Sequence, residues 1–208
     1  MATVKDLLSR GLAGLGIAPS AKAIDAFLLY LAELKKWNKA YNLTAISDDN
    51  EIVAKHFLDS LLYLKALPAS AQMLCDVGSG GGFPGIPIAI VCPDLSVTLI
   101  EPSRKRCAFL RHLAKRLQAP NIEVIESGAE AAGGRQFDVV LTRATFSAAG
   151  LIKKARHLLA RNGVFILSKG EKAKEELTQI PDGFQAETIT AVLPGTDIER
   201  TLIIITPL

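Results

Sequence analysis

Cysteine is scarce in this sequence: Cys75, Cys92 and Cys107 are the only three among 208 residues. An odd number of thiols, all in apolar surroundings, excludes a disulfide-stapled scaffold and suits a reducing compartment. No apolar run approaches the roughly 18 to 20 residues that cross a bilayer, because charge or proline interrupts each one, so no membrane segment is expected. The opening residues 1–10 carry Lys5, Asp6 and Arg10 in an amphipathic pattern and do not resemble a secretory signal. A cytoplasmic location is therefore expected. Internal repeats and low-complexity tracts are missing too. Charge is nearly balanced, with 24 basic and 21 acidic residues. Bulk electrostatics therefore names no partner, although a pI of 8.8 and local clustering leave room for an anionic one.

What is present is enough apolar content, 49% hydrophobic with a mean hydropathy of +0.27, to fill a sizeable core. The chain is organised around residues 73–88. An apolar run reads as a buried strand up to Val77, four glycines in the five positions 78–82 allow a tight turn, and Pro84 and Pro87 sit where a helix would begin. Strand, glycine turn and helix make a nucleotide pocket, with backbone N–H groups able to approach a ligand closely and Asp76 expected to hang over the same pocket as a fixed acceptor.

Residues 1–70 read as helical. A first helix over 3–15 is stopped by Gly14 and Gly16, and Ser20 caps a second whose Ile24, Phe27, Leu28, Leu31 and Leu34 share one face as core. Its end combines Lys35, Lys36, Trp37, Lys39 and Tyr41. Such a mixture can stack bases and hold phosphates, but a solvated helix end is the preferred account. A third helix starts near 48–50 and places His56 on its apolar side, where a core histidine bonded to a carbonyl is expected rather than a catalytic one. The segment 67–70 is too short and too apolar for a free linker, so the helices are expected to pack on the adjoining domain rather than swing.

From Gln72 the rhythm changes to short apolar runs at 96–101, 122–125, 137–141 and 163–167, separated by helix-length segments such as 103–117 and 147–160. That alternation predicts an α/β fold with a doubly wound parallel sheet. Two further strands, 184–191 and 201–206, are too close in sequence for a parallel crossover and are expected to form an antiparallel hairpin. Ligands of such sheets bind at the carboxyl ends of the strands, so residues 78–83, 101–103, 127–130, 143–144 and 168–170 carry most weight.

Gly80-x-Gly82-x-x-Gly85 formally matches a dinucleotide fingerprint, and Glu101 stands near the spacing of a ribose-binding acid. The register argues against a nicotinamide or flavin enzyme: the strand ends at Val77, so the true pattern is Gly78-x-Gly80-x-x-Phe83, with a bulky residue where close helix packing wants glycine. A terminal antiparallel hairpin is also unusual for a dinucleotide fold. The stretch 76–82, the acid at Glu101 and the final hairpin are instead similar to the class I S-adenosylmethionine-dependent methyltransferases, which have a Rossmann-like, mostly parallel seven-stranded sheet with an antiparallel last strand. Residues 37–44 (Trp-Asn-Lys-Ala-Tyr-Asn-Leu-Thr), 56–60 (His-Phe-Leu-Asp-Ser), 76–87, Lys105-Arg106, 142–144 and 167–170 narrow this further. Together they resemble the bacterial 16S rRNA guanine-N7 methyltransferases over nearly the whole chain, and they imply a helical extension over 1–70 and a cofactor-binding domain over 71–208.

The resemblance implies S-adenosylmethionine as cofactor, held by Gly78, Phe83, Glu101, Ala129, Glu130 and Arg143. Glu101 can accept both ribose hydroxyls, and Ala129 can offer its amide to adenine with Glu130 beside it. Phe83 either covers the ligand or simply packs helix on sheet. Arg143 can hold the methionine carboxylate or an RNA phosphate. Arg143, Lys169 and Arg200 are the implied substrate contacts, with Arg104, Lys105, Arg106 and the lysines near Trp37 as further RNA candidates. Lys153, Lys154, Arg156 and Arg161 read as a solvated helix face. The implied partner is 16S rRNA or the small ribosomal subunit, with no membrane, no metal and a monomeric enzyme. Guanine N7 has a lone pair and no proton, so no general base is needed and no catalytic proton carrier is assigned; the Asn-Pro-Pro-Tyr pattern of amino-group methylation is replaced by 142–145 (Thr-Arg-Ala-Thr). Cys92-Pro93, the dipeptide of pyrimidine C5-methylating nucleophiles, falls at the end of the helix after the glycine turn and reads as structural. A methyltransferase of small molecules or proteins, or a non-catalytic nucleotide-binding module, remain alternatives; an intact glycine turn argues against the last.

Overall fold

The computed structural model describes residues 3–170 and 173–208. Seven strands form one sheet in the order β3-β2-β1-β4-β5-β7-β6. They are β1 (Met73–Val77), β2 (Ser96–Glu101), β3 (Ile122–Glu126), β4 (Phe137–Arg143), β5 (Leu159–Lys169), β6 (Phe184–Val192) and β7 (Glu199–Pro207). The first five are parallel, and β7 inserts antiparallel between β5 and β6. The order reverses between β1 and β4, so the crevice expected of a doubly wound sheet opens at their carboxyl ends. Connecting helices are α5 (Gly85–Val91), α6 (Arg104–Arg116), α7 (Ala148–Ala155) and the short α8 (Ala173–Leu177). The helix expected over 147–160 is shorter than its sequence pattern: α7 ends at Ala155, a 3-10 turn covers Arg156–Leu158, and β5 starts four residues before Gly163.

The helical extension begins with α1 (Val4–Gly14), capped reciprocally by Thr3 and Asp6, and α2 (Ala21–Tyr41), capped by Ser20. Asn42 ends α2 in the left-handed conformation, a position that asparagine tolerates well. The third helical stretch starts where expected, with Asp48 capping α3 (Asp49–Ile52). It then widens into a π turn over Val53–Leu58 before α4 (Asp59–Leu61) and a closing 3-10 turn, Leu62–Lys65. Apolar spacing alone reads this as a regular helix and gives no sign of the widening.

The extension and the sheet share one hydrophobic cluster, in which Phe27, Leu34, Phe57 and Leu61 pack with Ile86, Leu99, Leu141 and Ile166. Burying each such side chain contributes roughly 1.5–3 kcal/mol, which holds the helices against the sheet. Two buried tyrosines add direction. Tyr30 donates to the carbonyl of Gly81 in the glycine turn. Tyr63 donates to the carbonyl of Thr142 at 2.7 Å and accepts the amide of Ser168 at 3.1 Å, locking the carboxyl ends of β4 and β5 to the extension. On the other flank the nearly buried Glu33 of α2 meets His112 at 2.9 Å and Arg116 at 2.8 Å on α6. Burial opposes its ionisation, but those two partners prevail and its pKa is lowered.

Replacing Tyr63 by phenylalanine keeps the ring and strands a carbonyl and an amide without a hydroxyl partner. Tyr63→Phe is expected to lower the unfolding free energy by about 1–3 kcal/mol in urea titrations, with little change in the slope of the transition.

Candidate active site

The glycine turn leaves β1 with Gly78 at φ +76°, and a Cβ there would lie 2.8 Å from the Thr145 side chain, so the loop after β4 closes directly on bare backbone. Glu101, at the end of β2, is 2% exposed. One of its oxygens accepts the Gly80 amide and the other the Ser103 amide, each at 2.9 Å, and Arg106 approaches at 3.8 Å. The carboxylate thus fixes the turn while forming one wall of a cleft of about 270 Å³. Gly78, Gly128, Ala129, Glu130, Thr145 and Phe146 supply other walls. This is the crevice predicted from the strand order. A larger depression of about 790 Å³, between Leu67 and Leu95, lies at the amino ends of β1 and β2, the wrong end of the sheet for such chemistry.

Two expectations, on Asp76 and His56, need correction in detail. Asp76 does not hang over the cleft. Side chains alternate along a strand, so Asp76 shares the face of Leu74 and points under the turn, where one oxygen accepts the Gly85 amide at 2.9 Å and the other has no partner among the described residues. His56 is not bonded to a carbonyl. Its Nε2 lies 2.6 Å from the Thr44 hydroxyl and its Nδ1 3.0 Å from an Arg143 nitrogen. Because guanidinium only donates, Nδ1 is the acceptor, so the proton sits on Nε2 and is donated to Thr44. Thr44 is itself gripped by Asn38, whose side chain donates to the Thr44 carbonyl and accepts its amide, both at 2.9 Å. Phe83, 5% exposed, lies outside the cleft walls and stacks between His56 at 4.5 Å and Tyr30 at 5.3 Å.

Of the remaining candidates, Ala129 and Glu130 do border the cleft, with the exposed Glu130 paired to Lys154 of α7. The three implied substrate contacts gather on the same end of the sheet, and each is already engaged. Arg143 donates to the Lys55 carbonyl at 3.0 Å and to Asp59 at 3.3 Å, with its guanidinium 4.9 Å from the Phe83 ring centre. Arg200 donates through Nε to the other oxygen of Asp59 at 2.7 Å. Lys169 bonds Glu176 and the Phe146 carbonyl, both at 2.8 Å, and so tethers the loop after β4. Asp59 and Glu176 are the ion-pair partners that sequence reasoning passed over. Asp59 lay inside the His-Phe-Leu-Asp-Ser motif and could have been found there, whereas nothing marked Glu176. Among the RNA candidates, Lys35 pairs with Asp49, Lys105 stands 6.0 Å from the Tyr41 ring, and Arg104, Lys36 and Lys39 border no part of the cleft. Cys92 closes α5 as expected of a structural residue.

Strand order and crossovers define the class of fold: this is the Rossmann-like α/β architecture with an antiparallel last strand. A methyltransferase from Pyrococcus furiosus shares it at a TM-score of 0.60, with 14% identity and coverage of 88% of this chain and 99% of that one. A SAM-dependent methyltransferase from Aquifex aeolicus does so at 0.59, with 14% identity over 85% and 98%. Sequence relationships go further. The family described as rRNA small subunit methyltransferase G matches residues 23–199. The chain is 41% identical over 208 residues to the ribosomal RNA small subunit methyltransferase G of Stenotrophomonas maltophilia strain K279a, covering 99% of this chain and 96% of that protein. To the protein of the same name from Chromobacterium violaceum it is 40% identical over 198 residues, 94% of each. The chain belongs to the rRNA small subunit methyltransferase G family.

Two displaced pKa values beneath the turn have opposite signs. Burial raises Asp76 from 3.8 to about 7, against the pull of the Gly85 amide and the Arg143 charge. Stability contributed by its native proton is present below pH 3.8 and lost as pH climbs to about 7. Burial and then Arg143 lower His56 from 6.5 to about 4, so its contribution is present above pH 6.5 and lost as pH falls to about 4. The two slopes offset each other between pH 4 and 6.5. Asp76→Asn removes the first alone: unfolding free energies measured across that window are expected to rise with pH in the variant and to stay flat in the parent.

Proposed function

We propose that the protein transfers a methyl group from S-adenosylmethionine to N7 of a guanine in 16S rRNA. The observation that carries this reading is the cleft between Gly78 and Glu101, set in a chain related over its whole length to proteins named for small-subunit rRNA methylation. The residues fit the cofactor. Gly78 keeps bare backbone on the cleft wall where Thr145 leaves no room for a Cβ, Glu101 presents a fixed carboxylate that could accept ribose hydroxyls, and the segment from Gly128 to Glu130 would face the adenine. When bound, S-adenosylmethionine would supply an electrophilic methyl group on its sulfonium.

The chain's own contribution is placement. A guanine N7 lone pair attacks without losing a proton, so the protein must hold the base in line and keep the cleft shaped for it. No residue is assigned to proton transfer. Asp76, Tyr30 and Tyr63, whose pKa values burial raises, are sealed beneath the turn and the strand ends, where they fix backbone. Glu101 and Tyr30 set the glycine turn from two sides, and Lys169 holds the loop that carries Thr145 and Phe146 against the cleft. Arg143 and Arg200 offer charge to the RNA backbone at its rim. A ribosomal substrate implies a cytoplasmic activity.

The test is to incubate the protein with methyl-labelled S-adenosylmethionine and naked 16S rRNA or 30S subunits, then map the label by N7-specific strand cleavage. Label at one guanine N7 is expected, and label at no guanine N7 would overturn the reading. In the same assay Arg143→Ala and Lys169→Ala are each expected to reduce RNA methylation by about tenfold or more while cofactor affinity in calorimetry changes far less. Equal losses in both would move these two residues from RNA to cofactor.

A further inference from the structure

Three acceptors on one short stretch converge on Arg143: the Lys55 carbonyl, His56 Nδ1 and the Asp59 carboxylate. They can do so because residues 53–58 form a π turn. Widening the helix takes its carbonyls out of the regular i→i−4 ladder and lets one face sideways, which is why such turns recur where side chains must be aimed. Asp59, 4% exposed, then divides its carboxylate, one oxygen to Arg143 and the other to Arg200. Those arginines come from strands that are not neighbours, since β5 stands between β4 and β7. One carboxylate therefore sets the spacing and orientation of two guanidiniums across three strands.

One carboxylate thus serves two guanidiniums, and Asp76, the other carboxylate that feels the Arg143 charge, is buried beneath the turn. Lys169, on the same rim, is already satisfied by Glu176. A half-buried guanidinium with an unfilled donor favours a further anionic acceptor. Arg200 uses Nε on Asp59 and NH1 on the Glu199 carbonyl, and its other terminal nitrogen has no partner among the described residues.

We propose that the π turn with Asp59 is a positioning device that presets Arg143 and Arg200 as a rigid pair for a phosphate of the RNA substrate. Asp59 acts through the two arginines and touches no reacting atom. The proposal rests on the RNA methyltransferase reading and makes the helical extension part of substrate binding. An RNA phosphate and the carboxylate of the cofactor are both anions that a guanidinium pair accepts; the open terminal nitrogen of Arg200, a residue that lines no part of the cleft, favours the phosphate.

The test is a double-mutant cycle on the full chain. Asp59→Asn keeps size and one acceptor while removing the charge. Its affinity for a 16S rRNA fragment, measured by filter binding over a range of salt, is expected to fall about tenfold, with KM for RNA rising in step and cofactor affinity in calorimetry unchanged within twofold. In an Arg143→Gln/Arg200→Gln background the same substitution is expected to cost almost nothing, because the residues it acts through are gone. Full additivity in the cycle, an equal loss of cofactor affinity, or unchanged RNA binding would each overturn the proposal. Should Asp59→Asn fail to fold, Arg200→Lys retains the charge without the guanidinium fork and is expected to lose RNA affinity similarly, while parental affinity there would also overturn it. RNA binding is read without turnover, so a parent protein that binds RNA but labels no guanine N7 defeats the proposed function and leaves this proposal to be judged by the cycle.

Discussion

One steric condition governs the molecule, the absence of side chains in the turn after β1. At Gly78 the turn is closed from one side by Thr145, and at Gly82 a Cβ would meet the Tyr30 hydroxyl oxygen at 2.7 Å. The turn is therefore where the end of β1, the loop after β4 and helix α2 meet without a side chain between them. Glu101 adds the end of β2 by accepting the Gly80 amide. A cleft with bare backbone as its floor results from this convergence, and each neighbouring element has its position dictated by contact with the turn.

The helical extension is bound into this arrangement by polar groups as well as by apolar packing. Asn38, Thr44 and His56 form a chain of hydrogen bonds that ends on Arg143, and Asp59 continues it to Arg200. Such networks specify geometry more than they add stability, because each buried member must be satisfied by the next. The extension thus supplies orientation to the strand ends, and the sheet supplies the surface on which that orientation acts.

Much of this was legible in the sequence, for reasons that differ between elements. The strands and the terminal hairpin were readable because β-branched runs and short spacings leave few alternatives, and the capping residue Ser20 announced its helix. The register of the glycine turn separated a methyl-donor pocket from a dinucleotide one. The aim of individual side chains was only partly readable. Strand alternation puts Asp76 under the turn, whereas the packing of the extension decides where Phe83 points, and no local pattern encodes that. The π turn is similarly invisible, since a single widened turn leaves apolar spacing almost intact. Asp59 lay within a motif that drew attention to it, whereas Glu176 became evident only when elements distant in sequence were brought together.

The order in which these parts are made has a consequence of its own. Asp59 precedes Arg200 by 141 residues, and Tyr63 precedes Ser168 by 105. At ordinary translation speeds of roughly 5–20 residues per second, the extension emerges on the order of ten seconds before the strands that complete it. During that interval Phe27, Tyr30, Phe57 and Tyr63, all fully buried in the finished protein, have no sheet to cover them. The nascent helices are therefore the segment of this chain that most needs protection by the ribosome surface or a chaperone until β7 has been synthesised.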